Sequence, residues 1–158
     1  MNEKELYLAF ERVLNANTYD KLKNNMIIQD GNSYRLFETY VIEPTTKGYA
    51  VSKITLDHAH IFSSLKYAVT WATLDHRSSL YEANRILELD RVLSGIDVTI
   101  KLYERFDKKV KDPETRFVYF NKLCEDKRKR KIITTELDTY VLATKRWQLD
   151  RFNKSQYK

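Results

Sequence analysis

The stretch that decides the fold is residues 79–113, SLYEANRILELDRVLSGIDVTIKLYERFDKKVKDP. Apolar residues recur in it in steps of three and four, a spacing typical of the seam along which two helices of a coiled coil pack. The seam residues are Ile86, Leu89, Leu93, Ile96, Ile100, Tyr103 and, after one miss at Asp107, Val110. Asp112 and Pro113 then favour the start of a second helix, because aspartate caps a helix and proline needs no N–H in the first turn. The sequence therefore predicts two long helices over Ser79–Phe152, folded back on each other at Asp112-Pro113.

The first of these helices has its own start signal. Ser79 and Glu82 have the spacing of a capping box, in which each side chain bonds a backbone N–H of the first helical turn. We therefore expect the helix to begin at Ser79 and to be closed there by both side chains.

The second helix has an interruption in its apolar pattern. It starts with four apolar residues, and then Glu125–Lys131 passes without one before the pattern resumes at Ile133. The four residues are Phe117, Phe120, Leu123 and Cys124. Antiparallel pairing places the polar run opposite roughly 91–97, where Ser94 and Gly95 weaken the first helix. We expect a kink, a polar crossing or a local break there.

The N-terminal half predicts a small sheet flanked by helices. Glu3–Leu14 has apolar residues at helical spacing, which indicates an amphipathic helix. Three runs rich in branched or aromatic residues, Met26–Gln29, Ser33–Ile42 and Tyr49–Ile54, predict an antiparallel meander. A further helix over Asp57–Leu74, with Asp57 as its N-cap, is expected to lie between the sheet and the hairpin. The predicted fold class is α+β, mostly α.

Length and composition favour one folded domain. The chain has 158 residues, of which 42% are apolar and 32% charged, enough to build a core. We expect a single domain over 1–158, made of a helix/sheet/helix part (1–77) and the hairpin (78–158). No run of about 18 apolar residues could span a bilayer, and the acidic start of the chain lacks the features of a signal peptide. The single Cys124 fits a reducing compartment, and we expect it to be buried as a small apolar residue.

No catalytic or metal signature is present in the sequence. His58 and His60, two residues apart, point in different directions on a helix, and His76 adds no recognised metal spacing even with Asp57 and Asp75. The carboxylates of the first hairpin helix lack the paired one-turn spacing that a magnesium-dependent enzyme needs. We therefore expect no catalytic residues, no metal and no cofactor, and no small-molecule substrate.

Positive charge is concentrated near the C-terminal end. The formal net charge is +6; residues 1–60 carry −1, residues 61–112 carry +1 and residues 113–158 carry +6. Clustered Lys and Arg side chains bind phosphate by charge and hydrogen bonding without reading bases. The residues that we expect to contact nucleic acid are Lys127, Arg128, Lys129, Arg130, Lys131, Lys145, Arg146 and Arg151. Such a run is also compatible with a solvated helical face whose charges pair with Asp90, Asp97 or Asp126.

Four segments resemble a group of uncharacterised proteins. The segments are GYAVSKIT (48–55), LKYAVTWA (65–72), YEANRILELDRVLSGID (81–97) and WQLDRF (147–152). They are similar to segments of small proteins encoded by contractile-tailed bacteriophages of marine bacteria. The resemblance implies a phage setting, in the cytoplasm of an infected bacterium or in the virion, and it carries no activity to any residue.

Two functions remain open from the sequence. The first is sequence-nonspecific DNA binding through the basic helical arm, in a non-enzymatic role. The alternative is an oligomerising structural or adaptor protein, in which a second copy completes the apolar faces of the hairpin. In both cases we expect a homodimer and no membrane partner.

Overall fold

The structure, a computed structural model, describes residues 27–156, apart from the side chains of residues 27–30, 107, 149 and 151–156. It has an antiparallel sheet followed by three helices, and its two C-terminal helices are long. The predicted α+β class, mostly helical, is confirmed. The predicted helix Glu3–Leu14 lies outside the described residues.

The sheet is a meander of five strands, not three. The strands are β1 Ile27–Asp30, β2 Ser33–Leu36, β3 Tyr40–Thr45, β4 Gly48–Ser52 and β5 His60–Phe62. Each strand pairs antiparallel with the next, so the order in the sheet is the order in the chain. The turn between β1 and β2 contains Gly31 at φ 62°, a value that glycine adopts without strain.

The additional strand boundary inside Ser33–Ile42 comes from a turn that has no glycine. Phe37 and Glu38 take up φ values of 55° and 60°, and the N–H of Thr39 donates to the carbonyl of Leu36. Positive φ is unfavourable for bulky residues, so local preference predicts a continuous strand here. Burial offsets the strain: Phe37 is 5% exposed and its ring stacks on His76 at 3.9 Å between centroids. Tertiary packing therefore makes the turn.

The first described helix, α1, spans Leu65–His76. The prediction that it begins at Asp57 is wrong, because residues 60–62 pair with β4 as strand β5. Its N-cap is Ser64, whose side chain accepts a hydrogen bond from the N–H of Tyr67. The sequence did not predict strand β5, because three residues are too few to establish a period-two pattern.

The hairpin consists of α2, Leu80–Asp107, and α3, Pro113–Gln156. The predicted corner is confirmed: the Asp112 carboxylate accepts hydrogen bonds from both the N–H and the hydroxyl of Thr115. These bonds lower the pKa of Asp112 below its ordinary value. The predicted capping box is wrong, because Ser79 makes no side-chain capping bond.

The core lies where the sheet, α1 and the base of the hairpin meet. Its most deeply buried side chains come from all of these elements, and they include Leu36, Ile42, Val51, Phe62, Ile86, Leu137 and Val141. Trp71 of α1 contacts rings on two strands of the sheet, Tyr40 of β3 and His60 and Phe62 of β5. Helix α1 therefore sits between sheet and hairpin, as expected. On α2 the main core cluster ends at Leu93, so α2 continues about 21 Å beyond it at 1.5 Å per residue.

Candidate nucleic-acid interface

The two hairpin helices pack through the predicted seam. Ile86, Leu89, Leu93 and Ile100 are buried, whereas Ile96, Tyr103 and Val110 are half-buried. The rings of Tyr103 and Tyr119 lie 5.7 Å apart between centroids, near the corner. The seam residues are thus buried at the base of the hairpin and more exposed toward the corner.

The basic run crosses the seam as a polar contact. Helix α3 is continuous through Glu125–Lys131, so the expected local break is absent. Arg130 Nε donates to Asp97 Oδ1 at 2.6 Å, and Lys127 Nζ lies 3.5 Å from Glu104 Oε1. Of the three expected alternatives, the polar crossing is observed. The expected pairing with Asp97 is confirmed.

The expected pairing with Asp90 is wrong. Asp90 is 3% exposed, and its carboxylate accepts hydrogen bonds from the N–H of Ser63 at 3.0 Å and from its hydroxyl at 2.6 Å. Burial raises the pKa of Asp90, and the two bonds from Ser63 oppose that rise. Asp90 therefore fixes the end of β5 to the hairpin and is not available to the basic run.

The eight basic residues predicted to contact nucleic acid do not form one surface. Lys127 and Arg130 face α2, and Lys129 lies 3.2 Å from Glu125 along α3, which lowers the pKa of Glu125. Lys145 is 5% exposed and Arg146 is exposed. The Arg151 side chain lies outside the described residues. Lys145 and Arg146 are about 21 Å along α3 from Lys131, so the structure separates the run from its C-terminal members.

Arg128 and Lys131 are exposed on one side of α3, and Lys131, at the edge of that side, also lines the groove between α2 and α3 with Lys101. At 100° per residue this side also carries Phe117, Phe120 and Cys124, and we call these five residues the outer face of α3. All five are exposed. Within the described side chains, no ion pair is found for Arg128 or Lys131.

Three of the residues expected in the core are therefore wrongly placed by the sequence pattern. Phe117 and Phe120 are 65% and 57% exposed, and Cys124 is exposed as well. Leu123, also in the predicted pattern, is half-buried, and so is Tyr119, whose ring packs against Tyr103 of α2. The error has a simple origin: steps of three and four fit two adjacent registers of one helix, and only the partner helix selects between them.

The structure adds basic residues of α2 and the corner to this cationic region, although the charge count along the chain had placed them in a nearly neutral segment. Because the hairpin is antiparallel, the C-terminal part of α2 and the corner lie beside the first half of α3. We call Lys101–Lys131 the distal half of the hairpin; it holds twelve basic and six acidic residues, the whole net surplus of the chain. All twelve basic side chains are exposed: Lys101, Arg105, Lys108, Lys109, Lys111, Arg116, Lys122, Lys127, Arg128, Lys129, Arg130 and Lys131. The predicted hairpin combined with the charge count could have identified them, because antiparallel helices bring residues 101–111 beside the start of α3.

Among the histidines and their neighbouring carboxylates, His60, His76 and Asp75 make contacts within the fold. Asp75 accepts a hydrogen bond from the Tyr40 hydroxyl and forms an ion pair with Lys53. Burial, together with Asp75, raises the pKa of Tyr40. His60 packs its edge against Trp71 at 5.0 Å between centroids, and burial lowers its pKa. Across residues 27–156, no group of three potential metal ligands comes together among the side chains that are described.

Two further observations bear on the function. Within the part of the chain that the structure covers, no helix is both long and apolar enough to cross a bilayer. No family model, curated protein or solved structure matches this chain, so its function is inferred from the charge and geometry of the hairpin.

Proposed function

We propose that the protein binds nucleic acid, DNA in the first instance, through the phosphate backbone and without reading base sequence. The observation that carries the proposal is the exposed surplus of six positive charges on the distal half of the hairpin. The rest of the chain is balanced, so a polyanion meets one strongly preferred region. The role is non-enzymatic, and the resemblance in the sequence favours a phage setting.

The shape of this region supports phosphate binding. The distal half extends past the core, so its charges face solvent on several sides and are not balanced by the sheet. Lys108, Lys109 and Lys111 lie at the corner, and Arg128 and Lys131 lie further along the outer face of α3. Lys and Arg at such spacings contact successive phosphates without fixed base contacts.

The ion pairs across the seam reduce the number of free cations but do not remove the surplus. Arg130 with Asp97 and Lys127 with Glu104 are both partly exposed, with side chains 37–55% accessible. Exposed pairs of this kind are held by less than about 1 kcal/mol, so a phosphate can compete for the cation.

The alternative, an oligomerising structural or adaptor protein, is supported by the exposed apolar side chains of the hairpin. Val98, Val118 and Ile132 are 68%, 56% and 65% exposed. Such residues favour association of helices when they lie on one side, but these three are distributed over both helices. The homodimer therefore stays a prediction, to be measured by light scattering at tens of micromolar.

The test is a salt titration of binding with a charge-matched control. Full-length protein is titrated onto labelled duplexes of two unrelated sequences, and the slope of log K against log salt is measured. Three to five phosphate contacts give a slope of about −3 to −5, the same for both sequences. Arg128→Gln with Lys131→Gln is expected to reduce the slope by up to about two units.

The control variant has the same net charge as the Arg128/Lys131 double variant, but its two cations are removed outside the hairpin. Arg35→Gln with Lys47→Gln removes two exposed cations, one from β2 and one from the turn between β3 and β4, and is expected to leave the slope within about half a unit of wild type. If both double variants change the slope equally, net charge alone governs binding and the hairpin is not the site. If wild type binds neither duplex at low salt, the proposal is wrong and the adaptor function is favoured.

A further inference from the structure

The hairpin corner carries an open depression in which aromatic and cationic side chains meet. It has a volume of about 400 Å³ and is lined by Lys111, Pro113, Arg116, Phe117 and Phe120. Large apolar rings are usually buried, yet Phe117 and Phe120 expose more than half of their surface here. The corner at Asp112-Pro113 is what sets Lys111 beside the first turns of α3.

We propose that this depression receives unpaired bases of a single-stranded nucleic acid, with Phe117 and Phe120 as the stacking surfaces. The inference rests on the proposed function, because it names the form of nucleic acid that the distal half of the hairpin prefers. Phe117 and Phe120 are three residues apart, hence neighbours on one side of α3, about 4.5 Å apart along its axis. Every base has a flat face that stacks on an aromatic ring, so the site is tolerant of sequence.

The cations around the rings have a linear arrangement that suits a single strand. Lys111 and Arg116 line the depression itself, and Arg128 and Lys131 continue the outer face, about 21 Å from Phe117 to Lys131. A strand whose bases enter the depression thus has phosphate partners along α3. A duplex keeps its base faces stacked inside and can use the cations only.

The N-terminus of α3 is not the anion site. Asp112 caps it through Thr115, and Glu114 adds a second negative charge in the first turn. The phosphates are therefore assigned to the side chains of Lys111 and Arg116.

Two other occupants fit this region less well. A second copy of the chain would set its own distal half against an equal surplus of positive charge, which charge complementarity opposes. Binding to an anionic lipid surface requires apolar residues that all insert to the same depth, with the cations beside them at the level of the headgroups. Here the rings and the cations follow one another along the side of α3 for about 21 Å, a row that matches the length of a linear polyanion.

The test compares single-stranded and duplex ligands on ring-deleted protein. Phe117→Leu with Phe120→Leu keeps apolar volume and favours helix, but removes both π faces. Fluorescence anisotropy is measured with a labelled oligothymidylate of about 20 nucleotides and a duplex of the same length. We expect wild type to prefer the single strand, and the double variant to lose about 10-fold or more on it, with less than about 2-fold on the duplex.

The matched control is Tyr81→Leu, which removes a ring that is 79% exposed at the opposite end of α2, about 39 Å from Asp107. It is expected to leave both affinities unchanged. Circular dichroism of all three proteins reports whether the helices are intact.

The outcomes separate this inference from the proposed function. Unchanged single-strand affinity in the Phe double variant, or an equal loss on both ligands, overturns the stacking site while salt-dependent binding by the hairpin stands. Absence of binding to both ligands in wild type overturns the proposed function itself. Loss of sedimentation with phosphatidylserine vesicles in the Phe variant, with unchanged oligothymidylate binding, assigns the rings to a lipid surface and also overturns the inference.

Discussion

The base and the distal half of the hairpin are built from the same two helices, yet they differ in what surrounds them. At the base, Ile86, Leu137 and Val141 are fully buried because α1 and the sheet cover the helix pair. In the distal half the helices cover only each other, so Phe117, Phe120 and Leu102 remain 46–65% exposed. The same helix pair thus contributes to the core at one end and presents a cationic surface at the other.

The largest expected effect tests where the stability lies. Ile86→Ala at the base is expected to lower the free energy of unfolding by about 2–5 kcal/mol, because it leaves a cavity among fully buried neighbours. Ile100→Ala, at a site 8% exposed, is expected near the low end of that range because solvent relaxes the cavity from the open seam. Urea unfolding followed by circular dichroism measures both. A larger loss at Ile100 than at Ile86 would place the core in the distal half.

A smaller effect is expected where the sheet is fastened to the hairpin. Asp90→Ala removes the acceptor of both Ser63 hydrogen bonds and is expected to cost about 1–3 kcal/mol. Asp90→Asn is expected to cost less, because its amide oxygen still accepts a bond and no charge is buried. Thermal melts of the two variants at neutral pH provide the comparison. Equal losses for alanine and asparagine would mean that the buried charge itself is required.

In the distal half, breaking an ion pair should barely change stability but should change binding. A double-mutant cycle of Arg130→Gln and Asp97→Asn is expected to give a coupling below about 1 kcal/mol, since both side chains are more than a third exposed. Asp97→Asn alone also releases Arg130 toward phosphate, so we expect severalfold tighter DNA binding at low salt. Weaker binding by this variant would show that the pair holds Arg130 in its binding position.

The smallest expected effect is a pH dependence at the base. Burial lowers the pKa of His60 in the folded protein, so the unfolded chain takes up a proton first as the pH falls. Stability is therefore expected to decline as the pH falls through the ordinary histidine range, from about 7.5 to about 5.5. His60→Gln should flatten that decline in urea titrations at several pH values. A decline as steep as in wild type would assign it to other groups.

Much of the hairpin was predictable because its signals are local and repeated. The seam has the right period over the six positions from Ile86 to Tyr103, and Asp112-Pro113 combines a cap with a helix-starting proline. The outer face was not predictable, because Phe117, Phe120 and Cys124 fit the apolar period as well as Tyr119 and Leu123 do. The number of strands was underestimated, because the turn at Phe37 and the pairing of strand β5 depend on residues that are distant in the sequence.

The sequence by itself determined the helix pair, its corner and the excess of positive charge, since these follow from short-range spacing, capping and a count of residues. Only the tertiary structure decided which charges act together. Antiparallel packing placed Lys101 beside the basic run and Lys111 beside the first turns of α3. It also paired Lys127 and Arg130 with carboxylates of α2, and it left Lys145 and Arg146 apart from the rest. The reason is physical: charge and exposure depend on neighbours in space, and those neighbours lie far away in the chain.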